Sequence, residues 1–228
     1  MKARERVALT LVVALVARSQ LAGQVVDARA LVAAPRNSAR LGSVTERADG
    51  LWAGMAVDFR AGRFTVSAQG TRGQLTASQP GLVPDRDVGE ISVSSRYDVR
   101  PWIGLDLGYT TRAFSSAAGY QRWEMARVGV TASSDVGTPT VRAFASLAYL
   151  PVVRLRAQQN PTFAFGSDMG LSVAPSRSPV TVSLSYRIER FRFSSATGRS
   201  EQFEALSLSA GVRAWRHGGR WKLGGGGN

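Results

Sequence analysis

Residues 102–112 alternate with a period of two. Ile103, Leu105, Leu107, Tyr109 and Thr111 form one set; Trp102, Gly104, Asp106, Gly108, Thr110 and Arg112 form the other. Side chains of a strand point to opposite faces in turn, so this is a strand with one apolar face and one small, polar or charged face. The polar face suits either bulk solvent or the lumen of a barrel. The same alternation recurs to the end of the chain, and that repetition constrains the fold more than any single segment does.

Residues 51–60 place Leu51, Met55, Val57 and Phe59 opposite Trp52, Gly54, Asp58 and Arg60. Residues 63–71, 87–99, 120–133, 140–150, 162–173, 180–193 and 202–215 repeat the pattern. Residues 40–47 are the poorest match, and Asp49-Gly50 is a hairpin signal. Residues 24–39 show little pattern and read as an arm or linker. The prolines read as lying in loops or at strand ends, as strand chemistry requires. Connections near Gly62, Pro101, Gly137 and Ser178 read as short, and those near Pro80, Ala117, Asn160 and Gly198 as longer. Counting alternate directions, one strand must precede residue 51, and residues 40–47 fill that place. The total is about ten strands, an even number of the kind bacterial barrels use. Gly54, Gly104, Gly108, Gly129, Gly166, Gly170 and Gly211 all fall on the polar face, which suits a narrow, strongly curved barrel.

The first residues read as an export signal over residues 1–23. Lys2, Arg4 and Arg6 precede an apolar run too short to span a bilayer, and small residues follow at Ala22 and Gly23. The domain reading is a signal peptide (1–23), a periplasmic arm (24–39), a barrel (40–216) and a Gly-rich tail (217–228). There is no Cys, which excludes a disulfide framework and thiolate metal sites. The formal charge is +13, nearly all from Arg, and it is dispersed along the chain. Dispersed charge argues against a nucleic-acid stripe.

The export signal, the alternating segments and the rhythm of the connections together resemble the small bacterial outer-membrane β-barrel proteins. The resemblance is architectural, covers nearly all of the mature chain, and rests on no family motif. It implies an all-β, single, antiparallel, up-and-down transmembrane barrel of about ten strands in the outer membrane. It also implies lipid, lipopolysaccharide and the outer-membrane insertion machinery as partners, with other envelope proteins as further candidates. Such barrels usually close on a terminal aromatic; here Trp215 and Trp221 stand before Gly224–Asn228.

Catalysis is not expected, and neither is a metal or cofactor. The only His is His217, beyond the last strand, at the end opposite the one where ten-stranded outer-membrane proteases carry a His and acidic residues. The expected lumen charge network is Asp58, Arg60, Glu90, Arg96, Asp106, Arg112, Arg127, Arg142, Asp168, Arg187, Glu189 and Arg213, read as a packed lumen held by Arg–carboxylate bonds. Arg exceeds the acids in this set, so the alternative is a narrow, anion-preferring pore. A second group near the loop rim, Arg72, Arg122, Arg154, Arg156, Arg190, Arg192 and Arg199, is expected to meet lipopolysaccharide phosphates or another anionic partner. Tyr97, Tyr149, Phe163, Phe165 and Tyr186 are expected at the membrane interfaces. The third functional alternative is an exported soluble β-sandwich that binds a ligand, with the apolar faces meeting across two sheets.

Overall fold

Strand-forming alternation produces strands almost without interruption. The computed structural model describes residues 24–78, 85–117, 119–156, 159–175, 178–194, 198–217 and 220–223. In chain order the strands are β1 (Gln24–Leu41), β2 (Val44–Ala61), β3 (Phe64–Ala77), β4 (Arg86–Arg100), β5 (Ile103–Ser116), β6 (Gly119–Val136), β7 (Thr138–Leu155), β8 (Phe163–Val173), β9 (Val180–Arg192), β10 (Arg199–His217) and β11 (Arg220–Leu223). Each pairs antiparallel with its sequence neighbours, and β1 also pairs with β10, from Gln24↔Arg216 to Leu41↔Arg199. The result is a closed, up-and-down barrel of ten strands. Closure matters because a paired edge leaves no row of free N–H and C=O groups. β1 begins and β10 ends at one end of the barrel, called the terminal end. The β1–β2, β3–β4, β5–β6, β7–β8 and β9–β10 connections crowd the other, the loop end.

The apolar set stays outside. Leu51, Met55 and Leu147 keep 69%, 69% and 70% of their surface exposed, and Leu105, Leu107, Ile91, Leu184 and Leu208 continue the band around the wall. A two-sheet sandwich would have buried these residues against each other. The closed single sheet therefore overturns the sandwich alternative. Among the described residues no helix is long and apolar enough to cross a membrane.

Several expectations about boundaries are corrected. Residues 24–39 are not an arm; they belong to β1, which is 18 residues long. Its outward residues include Ala28, Ala30 and Ala34, too small to announce a strand by hydropathy. Residues 40–47 are the end of β1, a turn and the start of β2, with Gly42 at φ 59° serving the hairpin. Asp49-Gly50 lies inside β2. Gly50 is required there by close approach, since a Cβ would come within 1.8 Å of the Gln74 carbonyl oxygen. Besides Pro139, the second residue of β7, two prolines sit inside strands. Pro35 is fully buried in β1, where the β1–β2 pairing skips residues 34 and 35; Pro151 lies at a bulge in the β6–β7 pairing. Both places spare a ladder bond that proline cannot donate. The β5–β6 connection is only residues 117–118, and the β8–β9 connection spans 174–179, so connection length alternates less cleanly than expected. The tail contributes β11, which pairs with Ala214–His217 beyond Val212, the last residue of β10 to pair with β9. The signal-peptide reading (1–23) and Gly224–Asn228 lie outside the described residues.

The inner-face glycines mark tight contacts. A Cβ on Gly211 would meet the Ala28 carbonyl oxygen at 2.2 Å and Arg29 Cγ at 2.4 Å, across the closing seam. At Gly108 the nearest atom would be at an ordinary 3.4 Å. Gly211→Val is expected to lower unfolding free energy by about 1–3 kcal/mol. Gly108→Ala should change it by less than about 0.5 kcal/mol. Urea titration of the refolded barrel in lipid vesicles measures both.

Candidate functional site

The lumen has two halves of opposite character. Toward the loop end the inward positions are apolar. Trp52, Leu75, Val88, Phe114, Trp123, Met125, Leu150, Phe191, Phe193 and Phe203 belong to one buried cluster. Trp52 stacks on Phe203 at 5.3 Å between ring centroids, and Trp123 meets Phe191 edge-on at 4.8 Å. This cluster fills the barrel from β2 across to β6, β9 and β10. It is a core built inside the cylinder, a feature the expectation of a polar lumen had missed.

Directly beneath lies a charged layer. Arg112 is 2% exposed, Glu90 2% and Glu189 4%. Arg112 Nε donates to Glu90 at 2.7 Å, and its Nη2 donates to Glu189 at 2.7 Å. Arg187 donates to the other Glu90 oxygen at 2.8 Å. Glu90 stands on β4 and Arg187 on β9, at opposite points of the ring, so this bond crosses the lumen. The Arg112 guanidinium also lies 3.6 Å from the centroid of the Phe203 ring, which joins the charged layer to the apolar cluster.

Toward the terminal end the remaining predicted charges line two connected polar cavities of about 470 and 330 Å³. Arg127 pairs with Asp168, which also accepts from Ser146 at 3.2 Å. Asp106 accepts from Thr131 at 2.5 Å. Arg213 pairs with Asp27 at 3.1 Å, Asp58 with Arg29, and Asp98 with both Arg96 (2.8 Å) and Arg60 (3.2 Å). Arg142 donates to Ser133 and the Pro101 carbonyl. Asp27 and Arg29 were missed because β1 was read as an arm; Asp98 follows the inward parity of Glu90 and Arg96 and was legible. With these three added, the Arg excess of the network falls to one, and the argument for an anion-preferring lumen weakens. Four buried side-chain atoms in this region have no hydrogen-bond partner among the described residues: Trp52 Nε1, Thr71 Oγ1, Arg29 Nε and Arg142 Nε.

The seven rim arginines do not form one group. Arg122 pairs with Glu124 at 3.1 Å, Arg156 approaches the same carboxylate at 3.7 Å, and Arg154 lies opposite it in the register. Arg72 stands apart on the outer face of β3. Arg199 bonds Glu201 and lies 4.3 Å from the Phe193 ring, closing the lumen mouth rather than facing outward. Arg190 and Arg192 face outward on β9. Of the aromatics, Tyr149, Phe163, Phe165 and Tyr186 gather on the outer face of β7–β9, with Phe163 5.9 Å from Tyr149 and 6.0 Å from Phe165. Tyr97 lies at the terminal end of β4. Among the described residues no group of His and acidic residues could hold a metal ion. The backbone of His217 ends β10; its side chain lies outside what is described.

Neither a known protein family nor a curated protein matches this sequence. Solved structures do. The outer-membrane protease OmpT of Escherichia coli superposes with a TM-score of 0.51 at 11% identity, over 85% of this chain and 97% of that one. The translocator domain of the autotransporter NalP from Neisseria meningitidis gives 0.47 at 10% identity, over 92% of this chain and 94% of that one. Neisserial surface protein A gives 0.38 at 15% identity, over 81% and 96%. At 11% identity the likeness to OmpT speaks of fold alone.

Removing Arg112 would leave Glu90 with one partner and Glu189 without the bond described above. Arg112→Met is expected to cost about 3–5 kcal/mol of stability. Arg122→Ser, which breaks a pair on the outer wall, should cost less than about 1 kcal/mol. The same urea titration separates the two. The closed antiparallel cylinder, with its apolar exterior and internal Arg–carboxylate layer, has the architecture of the bacterial outer-membrane β-barrel proteins.

Proposed function

We propose that this chain is an integral protein of the bacterial outer membrane with a structural or surface-interacting role, a closed lumen and no catalysis. One observation carries the reading: the wall is apolar outside while the loop-end half of the lumen is filled with aromatic and aliphatic side chains. Strands exposing such a band need lipid around them, and only a closed barrel lets strands cross a bilayer with every backbone group paired. A spanning strand needs about 9–11 residues. At 18 residues, β6 and β7 exceed that, and their outward charges Arg122, Glu124 and Arg154 lie toward the loop end, beyond the apolar band. In this reading the loop end faces outward and the terminal end of the barrel faces the periplasm. Delivery is by the N-terminal signal and the outer-membrane insertion machinery, and lipopolysaccharide and other envelope proteins are its neighbours.

The second reading, a narrow pore for small anions, draws on Arg142, the one arginine of the lumen network with no carboxylate partner among the described residues. The aromatic cluster opposes it: toward the loop end the second polar cavity is bounded by Ala33, Trp52 and Ala205, which belong to that buried cluster. Single-channel recording in planar bilayers decides. The wild type is expected to show no conductance steps, and Trp52→Ala/Trp123→Ala/Phe191→Ala/Phe203→Ala should conduct. Steady anion-selective steps from the wild type would replace the closed-lumen reading with the pore.

A further inference from the structure

The register places a second basic group where the sequence had suggested only part of one. Across β2, β1, β10 and β9, one row of outward residues is Arg47, Ser38, Gln202 and Arg190. The next row toward the loops is Thr45, Arg40, Ser200 and Arg192, and the next toward the terminal end is Asp49, Arg36, Glu204 and Ile188. Five arginines from three strands thus share the rim of one cavity of about 430 Å³ on the outer wall. Arg36, Arg40 and Arg47 had escaped notice because their segment read as an arm and a weak strand.

Four of these five arginines have no carboxylate partner among the described residues; Glu201, which also lines the cavity, takes Arg199. Asp49 takes Arg36 at 2.5 Å, and Glu204 accepts from the Tyr186 hydroxyl at 2.8 Å. Arg190 donates to the neutral Gln202 at 2.7 Å, and Arg40 to the Gly42 carbonyl at 3.1 Å. Among the described residues no carboxylate pairs with Arg40, Arg47, Arg190 or Arg192. Guanidinium forks match phosphate oxygens in pairs. The position selects the kind of phosphate. One row below Glu204 the wall turns apolar, with Ala34, Leu206 and Tyr186 paired across β1, β10 and β9, then Val32, Leu208 and Leu184. A ligand held by the arginines would have its other end against that apolar wall.

We propose that the β9–β10–β1–β2 seam binds the phosphorylated headgroup of an outer-leaflet lipid, with Arg40, Arg47, Arg190 and Arg192 as phosphate ligands and the acyl chains along Leu206, Leu208 and Leu184. The proposal rests on the membrane reading above and gives its lipid partner a location. The test uses the full barrel folded in detergent micelles, with native mass spectrometry as readout. The probes are diphosphoryl lipid A and the same lipid stripped of its phosphates. The wild type is expected to retain the phosphorylated form. Arg40→Ser/Arg47→Ser/Arg190→Ser/Arg192→Ser should lose about tenfold or more in apparent affinity, a factor equivalent to one lost decade in Kd. Arg122→Ser/Arg154→Ser/Arg156→Ser, which removes three outward arginines from the other wall, should stay close to the wild type. Equal retention by both variants, equal binding of the stripped lipid, or displacement by millimolar inorganic phosphate would overturn the site, provided the folded protein shows the gel-mobility shift on boiling that a closed barrel is expected to give. Recovery of the protein in the soluble fraction with no such shift would overturn the membrane reading itself.

Discussion

Everything in this molecule depends on the ladder between β1 and β10. Nine hairpin-linked pairings make a curled ribbon, and the tenth turns the ribbon into a cylinder. Without it, two long strands would present unpaired backbone groups to hydrocarbon, at a cost of several kcal/mol for each group. With it, the apolar faces can remain outward, because each of the ten barrel strands has a partner on both sides. The seam is also where the inner face is tightest. Gly211 lets the Ala28 carbonyl and Arg29 approach, and Arg213 reaches Asp27 across the same two strands.

Closure creates an inside that ten strands cannot leave empty, and the chain fills it in two ways. The loop-end half is a hydrophobic core of ordinary composition, held by contact and ring packing. The middle is tied by Arg112, Glu90, Glu189 and Arg187, buried charges that are supportable because each is paired. Bonds from β5 to β9 and from β4 to β9 act as struts across the ring. Together with the core, this bracing is what the proposed closed-lumen, surface-interacting role rests on.

Much of this was legible in the residues. The alternation assigned the outward face correctly on β2, β5, β6 and β9, because Leu, Val and Ile at every second position leave little choice of register. The inward charge set followed from the same parity. The first strand was not legible, since alanines outside and Asp27, Arg29, Leu31 and Ala33 inside give almost no contrast in hydropathy. That one loss removed Asp27 and Arg29 from the network and Arg36, Arg40 and Arg47 from the outer seam. The internal core was hidden for another reason. Trp52, Trp123 and Met125 stood on the face labelled polar, and only the three-dimensional stagger of the strands brings them to one level with Phe191 and Phe203.

The absence of cysteine makes the closing ladder directly measurable. Ala30 and Ala210 face each other across β1 and β10. Cysteines placed at these two positions should form an intramolecular disulfide under mild oxidation of the membrane fraction, and the denatured chain should then migrate as a closed loop. A control pair at Ala30 and Leu206 should stay reduced. Cross-linking of the first pair alone is the result the closed barrel predicts. Free thiols at both positions in correctly fractionated protein, or equal cross-linking of the control, would contradict closure and with it the membrane-spanning account.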